Sequence, residues 1–234
     1  ATGLLDPARA GKDHLWALAE LRRDEGRVLE AVSLRERAVH TEPTTAAEWI
    51  GLSQGYLLAD RVGPARAAVT RGLRLHEGDA DLTAQGAEVM LVSGRAEQAL
   101  GIVDRVLTDH ADHFGSKLVR AEALLVLGRL DEAAAQAEAL ATVEEAWVEV
   151  LRGAVAAARG NATERDAAVV RAEALAGDCP CTELERAGVA WVRALPAGQP
   201  VTPRPRKHPR AVEPKLAAPV TPGSAAQATP PPPR

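Results

Sequence analysis

The sequence predicts an all-α chain that folds by stacking helical hairpins, and three observations carry that expectation. The first is a period: Gly26, Asp60, Gly94 and Gly128 follow one another at a constant step of thirty-four positions without an insertion. The second is that an alanine stands five positions after each of them, at Ala31, Ala65, Ala99 and Ala133. The third is composition. The chain is 46% hydrophobic but only 3% aromatic, so alanine and leucine must build a core whose small side chains let helices approach closely. A fixed period of about 20 to 50 residues marks units that cannot bury their apolar face alone and must stack.

Each unit reads as helix, turn, helix and loop. The first, residues 12–45, carries Leu15, Leu18, Ala31 and Ala38 and closes at Pro43. The second, 46–79, opens with Trp49, Leu52 and Tyr56, continues with Ala65 and Val69, and has Gly72 where a small residue is expected. The third, 80–113, and the fourth, 114–147, keep the turn glycine and the alanine but lose the aromatic residues at the positions of Trp49 and Tyr56. Glycine at the turn accepts backbone angles costly to other residues, and alanine on the second helix lets the first pack against it. A degenerate fifth hairpin occupies 148–178. Its first helix begins near residue 145 and runs to Arg159, Gly160 and Asn161 break it, and a second helix follows from Thr163 to Ala176 with Ala167 and Ala168 late in register. After Cys179-Pro180-Cys181, an amphipathic helix over 182–195, with Leu184, Ala187, Val189 and Trp191 among its apolar residues, is expected to cap the stack. Residues 1–11 form a lead-in in which Asp6 and Pro7 can start the first helix early. Residues 196–234 hold 12 of the 16 prolines and read as a disordered, basic tail.

The constant spacing, the turn glycines and the small residue on each second helix resemble the tetratricopeptide repeat family. That resemblance implies a right-handed α-α superhelix of about five hairpins plus a capping helix. It also implies a protein-binding scaffold or adaptor whose first helices line a concave groove that takes a partner segment. Carried onto this chain, the groove candidates are Trp16, Glu20 and Arg23 in the first unit and Ile50, Gln54, Leu57 and Leu58 in the second. The third offers Ala84, Glu88, Leu91 and Val92, and the fourth Leu118, Glu122, Leu125 and Val126. The subgroup that holds carboxylate-ended chaperone peptides needs lysine, arginine and asparagine in the groove. This chain has acids and aliphatics there, so such tails are not expected ligands.

Glu20, Gln54, Glu88 and Glu122 follow one another at the same step, so a regular stack aligns them as a ladder. Three carboxylates in a row favour a cationic, partly apolar partner peptide, although the same acids also suit a plain solvated helix face. A cationic candidate lies in the chain itself. Arg204, Arg206, Lys207 and Arg210 belong to a tail that carries a net +5 from Ala197 onward, against −9 on the rest of a chain whose total is −4. That strip can cover the groove in cis, dock on another protein or an anionic surface, or stay solvated.

An acidic body argues against nucleic-acid binding. Cys179 and Cys181, with a single residue between them, lack the spacing of a redox pair or a zinc knuckle. His76 and His110, with Asp109, Asp112 and His113 nearby, occupy loop ends where a favourable helix-dipole interaction explains them better than metal ligation does. Asn161-Ala162-Thr163 matches a glycosylation acceptor by accident in an alanine- and arginine-rich chain of bacterial appearance. No phosphate loop, nucleophile elbow or cofactor fingerprint is present, so neither an enzyme nor a cofactor is expected. With no apolar run long enough to span a bilayer the chain reads as soluble. The start at Ala1 fits a piece cut from a longer chain, loss of the initiator methionine alone or a cleaved signal peptide alike, and an extracytoplasmic site is slightly favoured over the cytoplasm. Besides an adaptor, a permanent subunit of a bacterial envelope or filament assembly and an accessory domain of a larger protein stay open.

Overall fold

A computed structural model describes residues 11–40, 44–143, 145–177 and 183–207, apart from the side chains of 183 and 184. Asp6, Pro7, Pro43, Cys179, Cys181 and Arg210 lie outside the described residues. The regular elements are all helices: α1 Lys12–Asp24, α2 Val28–Val39, α3 Ala46–Leu58, α4 Val62–Leu75, α5 Ala80–Val92, α6 Ala96–Asp109, α7 Phe114–Val126, α8 Leu130–Ala139, α9 Ala146–Ala158, α10 Ala162–Ala176 and α11 Glu183–Ala194. Each odd helix from α1 to α9 pairs with the even helix that follows, and the first helices α3, α5, α7 and α9 also touch one another in sequence.

The period is written into both ends of each first helix. Gly11, Thr45, Asp79 and His113, spaced by one repeat step, are the N-caps of α1, α3, α5 and α7. Thr45 forms a capping box with Glu48, and Asp79 accepts from the Leu82 amide at 2.8 Å. His113 accepts from the Ser116 amide at 3.1 Å. At the other end each first helix closes with paired bonds: Arg27 N–H to Arg22 O and Gly26 N–H to Arg23 O, repeated at Arg61, Arg95, Arg129 and Asn161. The residue between takes a left-handed φ near 75° at Gly26, Gly94, Gly128 and Gly160, and 61° at Asp60.

Asp60 is the single non-glycine residue with positive φ among the described residues. Its Cβ crowds the following carbonyl there, a strain that glycine lacks. Asp60→Gly is expected to raise the unfolding free energy by about 0.5–1 kcal/mol, less than the full relief of strain because glycine also loosens the unfolded chain. A urea titration with an unchanged slope and a higher midpoint checks this, and an unmoved midpoint would mean that the aspartate is not strained.

Packing inside the stack follows the small residues. Ala31, Ala65, Ala99 and Ala133 are 0–2% exposed. Gly72 lies where an added Cβ would come within 2.8 Å of Leu82 Cδ2 and of Trp49 Cβ, so α4 is seated between α3 and α5 by the absence of a side chain. The fifth hairpin starts two positions early against the repeat step because α8 stops at Ala139. Its close-approach residue has moved to the first helix: a Cβ on Gly153 would meet Ala168 Cβ at 3.5 Å and Val192 Cγ1 at 2.9 Å. Val192 belongs to α11, which closes the stack against α9 and α10.

After α11 the described chain stays on the body through Lys207, which differs over 196–207 from the disordered stretch expected from Pro196 onward; residues 208–234 lie outside the described residues. The Gly198 amide donates to Ala157 O at 2.8 Å, Val201 is buried in the core, and residues 201–207, without regular secondary structure, run back across the first helices. Few apolar atoms are needed for this, because the segment is held by charge.

Candidate functional site

The first helices present one stripe to a shared cavity of about 490 Å³. Counting from each helix start, the second, fifth, sixth and ninth residues line it: Ala47, Ile50, Gly51 and Gln54 from α3; Asp81, Ala84, Gln85 and Glu88 from α5; Gly115, Leu118, Val119 and Glu122 from α7. From α9 come Trp147, Val150 and Leu151, and His113 before α7, Trp191 of α11 and the tail arginines Arg204 and Arg206 complete the wall. Residues i, i+3, i+4 and i+7 lie on one helical face, so stacking four such faces yields a concave surface.

Arg206 is the centre of its charge. Its side chain is 7% exposed and is gripped by two carboxylates from successive repeats. Nε donates to Glu88 Oε1 at 2.7 Å, while Nη1 and Nη2 donate to Glu122 Oε1 and Oε2, each at 2.8 Å. Nη1 also donates to the Arg204 carbonyl at 2.9 Å, and the Arg204 amide donates to Glu122 Oε1 at 2.9 Å. The Arg204 guanidinium lies 3.8 Å from the ring centroid of Trp147, within range of a cation–π contact. Lys207 Nζ stands 3.6 Å from Asp60 Oδ2 at an exposed position where an ion pair contributes little. Two arginines therefore stand against two carboxylates, with Arg206 and Glu122 buried.

Burial by itself would push the Glu122 carboxyl up, but the charges of Arg206 and Arg204 and the bonds they donate outweigh it and hold it at about 2. Burial and the neighbouring Arg206 bring Arg204 down to about 10, against the pull of Glu122 and Glu88. For Arg206 burial works downward, and the attraction of Glu122 and Glu88 carries it above the ordinary guanidinium value. A carboxyl lowered on docking favours the docked state above its ordinary value of 4.5 and loses that advantage as pH falls through about 2. Acidification over this window is accordingly expected to release the tail. Tryptophan fluorescence should report Trp147 losing its arginine while circular dichroism at each pH follows the helices separately. A fluorescence signal flat through the window, with the helices intact, would contradict the assignment.

The whole stack resembles known proteins in fold. It is similar to a tetratricopeptide repeat protein from Parabacteroides merdae, with a TM-score of 0.64 and 16% sequence identity over 75% of this chain and 70% of that one. It is equally similar to a thermophilic TPR protein from Thermus thermophilus, with a TM-score of 0.64 and 19% identity over 77% of this chain and 100% of that one. The chain has the tetratricopeptide repeat fold. No protein-family model matches the sequence, and no curated protein matches it.

Within this right-handed tetratricopeptide solenoid the groove candidates divide. Ile50, Gln54, Ala84, Glu88, Leu118 and Glu122 line the cavity. Leu57, Leu91 and Leu125 are 0–4% exposed and belong to the core instead. They sit in the last turn of each first helix, where the second helix begins; Leu57 clusters with Ala65 and Val69 of its own hairpin and with Val89 of the next. Leu58 packs with Val28 and Val32, and Val92 and Val126 are half-buried against the core clusters. In the first hairpin Trp16 lies over Gly51 and under the guanidinium of Arg35, while Glu20 is bound by Arg35 and by Arg23 at 2.5 Å. Arg23 is thereby turned along its own helix to Glu20 and Asp24. The ladder thus splits: Glu20 is committed within the first hairpin, Gln54 donates to Gln85 Oε1 at 3.3 Å, and Glu88 and Glu122 hold the tail.

Sequence reasoning missed Trp147 and Trp191. Trp147 is equivalent to Ala47, Asp81 and Gly115 once two residues are deleted between α8 and α9, so the repeat register carried the signal. Of the loop-end histidines, His76 and His113 have protein partners: His76 Nε2 lies 3.1 Å from Thr44 O, and His113 Nε2 lies 2.8 Å from Asp81 Oδ1. Asn161 is the N-cap of α10, accepting from the Glu164 amide. Among the described residues no group of three or more His, Cys, Asp or Glu side chains converges as a metal site requires, and no helix is long and apolar enough to cross a membrane.

Proposed function

We propose that this chain is a protein-interaction scaffold that takes an extended segment of a partner protein or peptide in the concave groove of its repeats. The observation that carries the reading is the stripe of second, fifth, sixth and ninth residues. It joins apolar side chains such as Ile50, Leu118 and Val150 to a pair of carboxylates in one cavity, which suits a partner with both basic and apolar side chains. The fold supports it, since the similar solved structures are tetratricopeptide repeat proteins. The acidic body disfavours nucleic acid as the partner.

The test is a random-peptide display selection on the full chain carrying Arg206→Ala, repeated with Ala84→Trp added. Ala84 is small and central to the cavity, so tryptophan there fills the groove for a peptide of any charge. Peptides that bind the first protein and lose at least about ten-fold in affinity on the second support a groove-binding scaffold, a difference of about 1.4 kcal/mol. Peptides that bind both equally, or none selected, would contradict it.

A further inference from the structure

Resting on that scaffold reading, we infer that the groove recognises an Arg-Xaa-Arg segment of a partner protein, and that this chain's own Arg204-Pro205-Arg206 holds the site in competition with it. The geometry defines two unlike subsites. One is a carboxylate fork in which Glu88 and Glu122, from successive repeats, satisfy all three nitrogens of a single guanidinium. A lysine ammonium, a point charge without the planar fork, cannot engage Glu88 and both oxygens of Glu122 in this way. The other is the face of Trp147, 3.8 Å from the second guanidinium. An arginine, whose planar cation stacks on an aromatic ring, fits it as well.

The spacing of the two subsites fixes the motif. One oxygen of Glu122 accepts from the backbone amide of the first arginine and from the side chain of the second, so only a chain with one residue between them meets both bonds. The intervening residue, Pro205, is exposed and unread by the groove, which leaves that position free in a partner. Proline there narrows the backbone conformations of the free segment and so lowers the entropy lost on docking. The rest of the cavity continues past Arg204 and Arg206 along apolar side chains that the tail leaves open. A partner that fills this remainder gains burial that the tail does not have, and can displace it.

The probe is a fluorescein-labelled peptide with the sequence of residues 200–207, titrated by anisotropy into three full-length proteins: the unaltered chain, Arg204→Ala/Arg206→Ala, and that variant with Glu88→Gln/Glu122→Gln. A tethered competitor acts at an effective concentration of about 1 mM. The probe is therefore expected to bind the emptied groove at least about ten-fold more tightly than the unaltered chain, and to lose that binding in the four-fold variant. A second probe with both arginines replaced by lysine should bind the emptied groove at least about ten-fold more weakly than the first. Should the double variant unfold on circular dichroism, Arg206→Ala alone serves, since it keeps Arg204 and still frees the Glu88 and Glu122 fork. Equal binding of the arginine and lysine probes, or no binding to a folded emptied groove, would overturn the Arg-Xaa-Arg assignment. In that event, groove-dependent peptides without the motif from the display selection would leave the scaffold reading standing, and their absence would remove both. Equal affinity for the unaltered and emptied chains would overturn the competition. A concentration-dependent dimer of the unaltered chain would do so as well, by placing the tail in a second copy.

Discussion

Gly72→Val is expected to lower the stability of the chain by about 3 kcal/mol, the upper end of what an extra side chain costs in a close-packed core. The position lies in α4, where the first atom of any side chain would come within 2.8 Å of both Trp49 Cβ and Leu82 Cδ2. Trp49 Cβ is tied directly to the α3 backbone, and Leu82 is fully buried, so neither can give way without moving a helix. Valine would push α3 and α5 away from α4, and those two helices carry half of the groove stripe. Gly72→Ala should cost less, because about 1 kcal/mol of helix propensity is regained while the first contact remains. Urea denaturation of both variants checks the order. A valine variant as stable as the parent would mean that the repeats are packed loosely enough to absorb it.

The second large effect is expected from Arg206→Ala. Removing one partner of a buried ion pair leaves the other uncompensated, at a cost of about 3–5 kcal/mol. The segment 200–207 can avoid that cost by leaving the groove, which rehydrates Glu88 and Glu122. The docked-to-open ratio should then fall about a hundred-fold, equivalent to about 3 kcal/mol. Trypsin cleavage after Lys207 reads this out, because cleavage needs the flanking chain to leave the groove and its rate follows the open population. Arg206→Lys should accelerate cleavage by an intermediate amount, since it keeps the charge but not the three-nitrogen fork. Identical cleavage of the parent and the alanine variant would mean that Arg206 does not hold the segment.

Much of the fold was legible because the repeats are regular where packing demands it. The turn residue must adopt a left-handed φ, the residue five positions later must be small, and both needs recur at one constant step from Gly26 to Ala133. The fifth hairpin was less legible because its small contact residue is on α9 at Gly153 while Arg165 stands where the alanine would be. The lining of the cavity was legible at the fifth and ninth residues of the first helices, Ile50, Gln54, Ala84, Glu88, Leu118 and Glu122, and not at the sixth, Gly51, Gln85 and Val119, or towards the helix ends. At the hairpin-turn end, Leu57, Leu91 and Leu125 are apolar and periodic like groove residues, and periodicity alone cannot tell a groove from the seam between two helices. At the other end, a two-residue deletion hid the equivalence of Trp147 to Asp81 and Gly115. The placement of the tail was hardest to read, because prolines and few apolar residues signal a chain that gains little by burial. In this chain charge supplies the gain: Arg206 finds Glu88 and Glu122 separated by one repeat.

If Glu122 holds both a guanidinium and the backbone beside it in the groove, the Arg204 amide reports on that grip most directly. In the structure that amide donates to Glu122 Oε1 at 2.9 Å. Hydrogen exchange at the Arg204 amide should be compared in the full chain and in Glu122→Ala. The expected result is exchange slowed at least about ten-fold in the full chain, with the protection gone in the variant, since a protected amide exchanges only through the open state. Unprotected exchange of Arg204 in the full chain would contradict the account.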